Sequence, residues 1–219
     1  MISTIIFDAF GTLFEVAKGG SAKYVIEQIT SCGHDVNEED FLCEWKKYYK
    51  RHTGPDCAFQ TERDIFISRI RMFYGRYGVN RSAESDADRL LAGAYARKPY
   101  EEAAEAITRL RQKYRVFIGS NTDNDVLDAV MKNSGIDVDK VYTSENLRCY
   151  KPAPLFYEKI LSENRLAPGE VLFVGDSLSD DVYGPLHAGI QAVWLNRADR
   201  EIPDGVTAIR DLRELTFIF

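Results

Sequence analysis

After Pro99 the chain alternates short apolar runs with helix-length amphipathic segments, and that alternation limits the fold more than any other feature. It predicts helices near 101–113, 124–134, 153–164 and 181–188, with strands at 115–119, 139–143, 170–174 and 191–195. Strands separated by helices of this length are joined by right-handed crossovers, which makes the sheet parallel and covers both of its faces. A further β-branched run at 2–7, ended by Gly11-Thr12, supplies one more strand far away in sequence. The expected fold is therefore α/β, with a doubly wound, Rossmann-like parallel sheet.

Between that first strand and Pro99 the strand signal disappears. Phe41, Trp45, Tyr48 and Tyr49, then Ile65, Ile67, Ile70, Phe73 and Tyr77, recur at helical spacing. The expected organisation is a core made of residues 1–14 and 96–219, interrupted by an α-helical insertion at 15–95. A length of 219 residues accommodates both parts. The net charge of −6, without a cluster of Lys and Arg, argues against nucleic acid or an anionic membrane as partner. The N-terminus has no basic segment ahead of its apolar run and no apolar stretch is long enough to span a bilayer, so a cytoplasmic location is expected. Cys32, Cys43, Cys57 and Cys149 lack metal-ligand spacing and read as reduced thiols, and His34, His52 and His187 are scattered. Oligomeric state is not legible.

Four polar groups stand just past predicted strands: Asp8, Ser120-Asn121, Lys151-Pro152 and Asp176. In an open parallel sheet ligands bind outside the carboxyl ends of the strands, so these groups are expected to meet. Asp8, ahead of Gly11, can present a carboxylate as a covalent nucleophile. Asp176 opens Gly175-Asp176-Ser177-Leu178-Ser179-Asp180-Asp181, which brings further carboxylates to the same place. Like charges so close raise one another's pKa unless a cation separates them, and Mg²⁺ is the economical one. One of Asp180 and Asp181 is expected to cap the helix that follows. Ser120 and Asn121 suit hydrogen bonding to oxyanions, and Lys151 adds a positive charge.

In that order, Asp, Ser-Asn, Lys-Pro and Gly-Asp-Ser resemble the four motifs of the haloacid dehalogenase-like (HAD) hydrolase superfamily, with the helical insertion where one subfamily carries its cap. The resemblance implies that Asp8 is the nucleophile of an aspartyl intermediate and that Ser120 and Asn121 bind the transferred group. Lys151 then neutralises nucleophile and substrate. Asp8, the carbonyl of Phe10, Asp176 and Asp181 (or Asp180) would hold Mg²⁺. Phe10, Gly11 and Thr12 would form the substrate-binding loop, and a small phosphate monoester would be the substrate.

Phe10 departs from the phosphatases of this superfamily, which usually carry a second aspartate there as general acid and base. An aromatic in Asp8-Ala9-Phe10-Gly11-Thr12-Leu13 instead resembles the metal-independent 2-haloacid dehalogenases, which also need a cap arginine; Arg51 is the nearest candidate by position. Gly175-Asp176-Ser177 is similar to the metal-binding members, and a metal-free Asp176 would repel both Asp8 and a carboxylate substrate. The Mg²⁺-dependent phosphohydrolase is the leading expectation. A 2-haloacid dehalogenase and a protein that binds without turnover are the alternatives.

Overall fold

The computed structural model describes residues 1–16, 20–54, 57–132 and 134–215. They form two compact units, one made of Met1–Val16 and Arg97–Phe219 and the other of Ala17–Ala96.

In the first unit, six parallel strands run in the order β3-β2-β1-β4-β5-β6. They are β1 (Thr4–Phe7), β2 (Arg115–Ser120), β3 (Lys140–Thr143), β4 (Val171–Gly175), β5 (Gln191–Leu195) and β6 (Ala208–Ile209). β1 is central and fully buried, as its unbroken apolar run Thr4-Ile5-Ile6-Phe7 requires of a strand covered on both faces. Ile5 and Phe7 face one core with Ile118, Leu172 and Val174. Ile6 faces the other with Phe117, Phe156 and Phe173. Phe7 is in register with Ile118 of β2 and Val174 of β4, so the first residues beyond those strands emerge at one level.

The crossovers differ in detail from their sequence expectations. The helix expected at 101–113 is Ala103–Leu110, and that expected at 124–134 is Asn124–Met131. The one expected at 153–164 is Pro154–Asn164, entered by proline at its first position, where the missing N–H costs nothing. The single helix expected over 181–188 is replaced by a π-helical turn, Leu178–Tyr183, and a short helix, Gly184–His187. Its N-cap is Ser177, whose hydroxyl accepts from the Asp180 N–H at 3.2 Å, so neither Asp180 nor Asp181 supplies the cap. Strand β6 has two residues, too few to leave a periodic signal.

The second unit contains, among its described residues, four helices: Gly20–Ser31, Glu38–His52, Glu62–Tyr77 and Ala83–Tyr95. Asn37, Thr61 and Ser82 cap the last three through side-chain oxygens. Val25, Ile29, Phe41, Trp45, Ile70 and Phe73 make their core, so most of the aromatic stripe in the sequence is packing, while Tyr48 and Tyr49 lie half-buried outside that cluster. Asp86 joins three helices by accepting from Tyr24, Tyr74 and Arg81. No helix of the described residues is long and apolar enough to cross a membrane.

Candidate active site

Asp8 lies one residue beyond β1, with its N–H donating to the Val174 carbonyl at 2.9 Å, and is 6% exposed. The Ser120 hydroxyl donates to its Oδ1 at 3.0 Å, and the Lys151 ammonium donates to the same oxygen at 2.7 Å. Lys151 reaches equally far, 2.7 Å, to Oδ1 of Asp181. Side chains from the end of β2 and from three separate loops thus converge as the strand-end pattern predicts. Asn121 has a different set of contacts from those of an oxyanion donor. Its Oδ1 accepts from Lys151 N at 2.8 Å and its Nδ2 donates to Lys151 O at 3.0 Å, so the amide braces the loop that carries the ammonium.

Two glycines make this convergence possible. A Cβ on Gly175 would lie 2.3 Å from Asp181 Oδ2, so only glycine lets Asp181 fold back beneath β4. Gly11, at φ 95°, turns the chain so that Asp176 can occupy the space a side chain there would fill. Thr12 is fully buried and its carbonyl accepts from Arg197 at 2.9 Å. The Phe10 ring is partly buried against Phe14, with the Arg97 guanidinium 4.4 Å from its centre.

Asp8, Asp176 and Asp181 each place a carboxylate oxygen within 4.8 Å of the others. At that spacing two ionised carboxylates repel by on the order of 3–4 kcal/mol at an effective dielectric of 20. One ammonium is shared between two of them, Asp8 and Asp181. Burial first, and the neighbouring Asp8 second, push Asp176 up to about 6. Burial also pushes Asp181 upward against the pull of Lys151. Burial disfavours the Lys151 cation, but Asp181 and Asp8 outweigh it and hold the ammonium charged well above its ordinary range.

The oxygen donors divide by their commitments. Asp181 Oδ1 is held by Lys151 and its Oδ2 by the Ser177 N–H at 2.9 Å. Asp8 Oδ1 takes two donors, whereas Asp8 Oδ2 and the Asp176 carboxylate engage no other side chain among the described residues. Three carboxylates at this spacing suit a hard cation, because oxygens bound to Mg²⁺ lie about 3 Å apart when adjacent and about 4 Å when opposite.

The sequence reading passed over Asn196 and Arg200. Asn196 directly follows β5, the same signal that marks Asp8 and Asp176, and it is 1% exposed. Arg51 belongs to the helical unit, where it is exposed in the last turn of its helix with its guanidinium 3.9 Å from Glu44. Among the described residues of that unit the buried cation is Arg69, stacked 3.7 Å over Trp45.

A family model described as "haloacid dehalogenase-like hydrolase" matches residues 2–189. The chain is 28% identical over 207 residues to (S)-2-haloacid dehalogenase of Xanthobacter autotrophicus, covering 92% of this chain and 78% of the relative. It is also 28% identical over 210 residues to N-acylneuraminate-9-phosphatase of Rattus norvegicus, covering 90% and 84%. The solved L-2-haloacid dehalogenase of Xanthobacter autotrophicus superposes with a TM-score of 0.71 at 22% identity, covering 100% of this chain and 98% of that one, which is a likeness of fold. With its parallel sheet, its strand-end carboxylates and a family match over nearly its whole length, the chain belongs to the haloacid dehalogenase-like hydrolases.

Proposed function

We propose that this hydrolase is a Mg²⁺-dependent phosphohydrolase acting on a small phosphorylated molecule through an aspartyl-phosphate intermediate on Asp8. The observation that carries the reading is the trio Asp8, Asp176 and Asp181, whose charge Lys151 alone does not balance. Asp8 and Asp176 would hold Mg²⁺ directly with the Phe10 carbonyl, while Asp181, both of whose oxygens are committed, anchors Lys151 and stands behind the ion. When bound, Mg²⁺ supplies Lewis-acid charge neutralisation to a phosphoryl oxygen.

The chain's own groups do the rest. Asp8 Oδ2, which takes neither donor, attacks phosphorus, while Oδ1, kept in place by Ser120 and Lys151, would be the oxygen that faces the ion. The Ser120 hydroxyl can turn from Asp8 to a phosphoryl oxygen as charge develops there. Asn121 holds the Lys151 backbone so that the ammonium stays between Asp8 and Asp181. Gly11 supplies the backbone turn next to the phosphoryl group, Thr12 serves that turn as buried packing rather than as a substrate contact, and the helical unit serves as a cap that shapes specificity. A cytoplasmic setting completes the proposal, in keeping with four free cysteines. The test is hydrolysis of p-nitrophenyl phosphate with Mg²⁺ or EDTA. Turnover that needs Mg²⁺ and is lost in Asp8→Asn supports the reading; equal rates with and without EDTA overturn it.

Phe10 favours a second reading, a metal-independent 2-haloacid dehalogenase, because a halide leaves without a proton. The curated dehalogenase relative strengthens it. Arg51 would then bind the substrate carboxylate. This reading predicts halide release from L-2-chloropropionate, unaffected by EDTA and lost in Asp8→Ala and Arg51→Ala.

A further inference from the structure

Arg200 is a cation held against the loop that bears Asp176, and neither the phosphohydrolase nor the dehalogenase reading uses it. Its backbone is clamped by buried Asn196, which accepts from Arg200 N at 2.9 Å and donates to Arg200 O at 2.7 Å. Its guanidinium lies 4.9 Å over the Trp194 ring and donates to the Asp176 carbonyl at 3.3 Å. Trp194 Nε1 donates to that same carbonyl at 2.9 Å, so the indole and the guanidinium are fixed on one atom of the loop that bears Asp176. The adjacent acid, Asp199, is taken by Arg210 at 2.5 Å, and no carboxylate forms an ion pair with Arg200 among the described residues. Other arginines near this loop are committed: Arg197 pairs with Glu102 at 2.5 Å and stacks 3.7 Å over Tyr100.

An exposed, preorganised cation is therefore fixed on the loop that bears Asp176, one of the three clustered carboxylates, while the loop after Asp8 carries a phenyl ring at position 10. A ring donates no proton to a leaving group, and a guanidinium stays charged and stabilises an oxyanion instead. We propose that the substrate is a phosphate anhydride, whose leaving group departs as a carboxylate or phosphate anion, and that Arg200 binds the charge developing on the departing oxygen. This rests on the phosphohydrolase reading. Asp8 Oδ2 forms a bond to phosphorus, and the bond from phosphorus to the bridging oxygen breaks with its electron pair leaving on that oxygen. Water then attacks the phosphorus of the aspartyl phosphate, the Asp8 carboxylate is released, and the proton of the water passes to the phosphate product. No proton goes to the leaving group.

The experiment compares acetyl phosphate, pyrophosphate, glycerol phosphate and p-nitrophenyl phosphate with Mg²⁺, using wild type, Arg200→Met and Arg200→Lys. The expected result is kcat/KM for at least one anhydride about 100-fold or more above glycerol phosphate, in line with the usual value of a missing general acid. Acetyl phosphate and pyrophosphate separate the carboxylate from the phosphate leaving group. Arg200→Met should lower kcat/KM on the preferred anhydride about 10-fold or more with a much smaller effect on nitrophenyl phosphate, and Arg200→Lys should restore part of the loss. Turnover of nitrophenyl phosphate with anhydrides no better than glycerol phosphate overturns the substrate class while the phosphohydrolase stands. An equal loss on all substrates in Arg200→Met overturns the assignment of Arg200. No Mg²⁺-dependent turnover of any phosphate refutes the phosphohydrolase reading and this inference with it.

Discussion

A Cβ on Gly11 would sit 2.5 Å from Oδ2 of Asp176, so the loops after β1 and β4 meet with no room for a side chain between them. Gly11 also has φ 95°, a conformation that a β-carbon strains. Gly11→Ala is expected to displace Asp176, weaken Mg²⁺ binding about 10-fold or more and lower turnover in proportion. Calorimetric Mg²⁺ titration of the variant checks this. Unchanged affinity would mean that Asp176 is not held against Gly11 as a ligand.

Removing the Lys151 ammonium leaves Asp8 and Asp181 buried without their shared counter-charge. Breaking a buried charge pair from one side typically costs about 3–5 kcal/mol. Lys151→Met should therefore be destabilised by about that amount in denaturant unfolding without Mg²⁺. Part of the loss should return when Mg²⁺ is added, because the ion replaces some of the missing charge.

Asp176 predicts a pH dependence with a definite sign. Its folded value of about 6 lies above the roughly 3.9 of an unfolded aspartate, so the folded state holds this proton more tightly. Its contribution to metal-free stability is complete below about pH 4 and is lost as pH rises through about 6. Mg²⁺ competes for the same carboxylate, so its affinity should climb across that window and level off above it. Melting temperature without metal and Mg²⁺ titration, both from pH 4 to 8, test the pair of trends. Asp176→Asn should flatten each.

Phe10→Asp restores a carboxyl group where the phosphatases of the superfamily carry their acid. Alkyl phosphates should speed up about 10-fold or more, on the general-acid scale, while nitrophenyl phosphate changes little. The new carboxylate would also meet Arg97, which stacks on the ring at 4.4 Å. Folding and Mg²⁺ binding are measured first. A folded, Mg²⁺-binding variant with the wild-type dependence on leaving-group pKa would show that another residue already delivers the proton.

The strand-end positions of Asp8, Ser120 and Asp176 were legible in the sequence because each follows an apolar run whose register the parallel sheet enforces. Asn196 follows the same rule. Arg200 could not be read this way, since it lies four residues further along a loop and its position depends on the Asn196 clamp. The partners of Asn121 were equally hidden. An amide at a strand end can face a ligand or a neighbouring loop, and only the path of the chain around Lys151 decides.

The local pattern of apolar runs, turns and helix-length segments was enough to determine the parallel α/β frame, because strand and helix periodicity are properties of neighbouring residues; the family was legible only through the resemblance of the four short motifs at the strand ends. Tertiary structure alone separated Asp180 from Asp181. The π-helical turn rotates Asp181 inward over Gly175 to meet Lys151, while Asp180 receives the Ser177 cap at its N–H and gives its carbonyl to Tyr157. Adjacent aspartates have nearly the same local propensities. Which of them becomes part of the charge cluster is decided by how one turn packs under a strand that the chain completes several residues earlier.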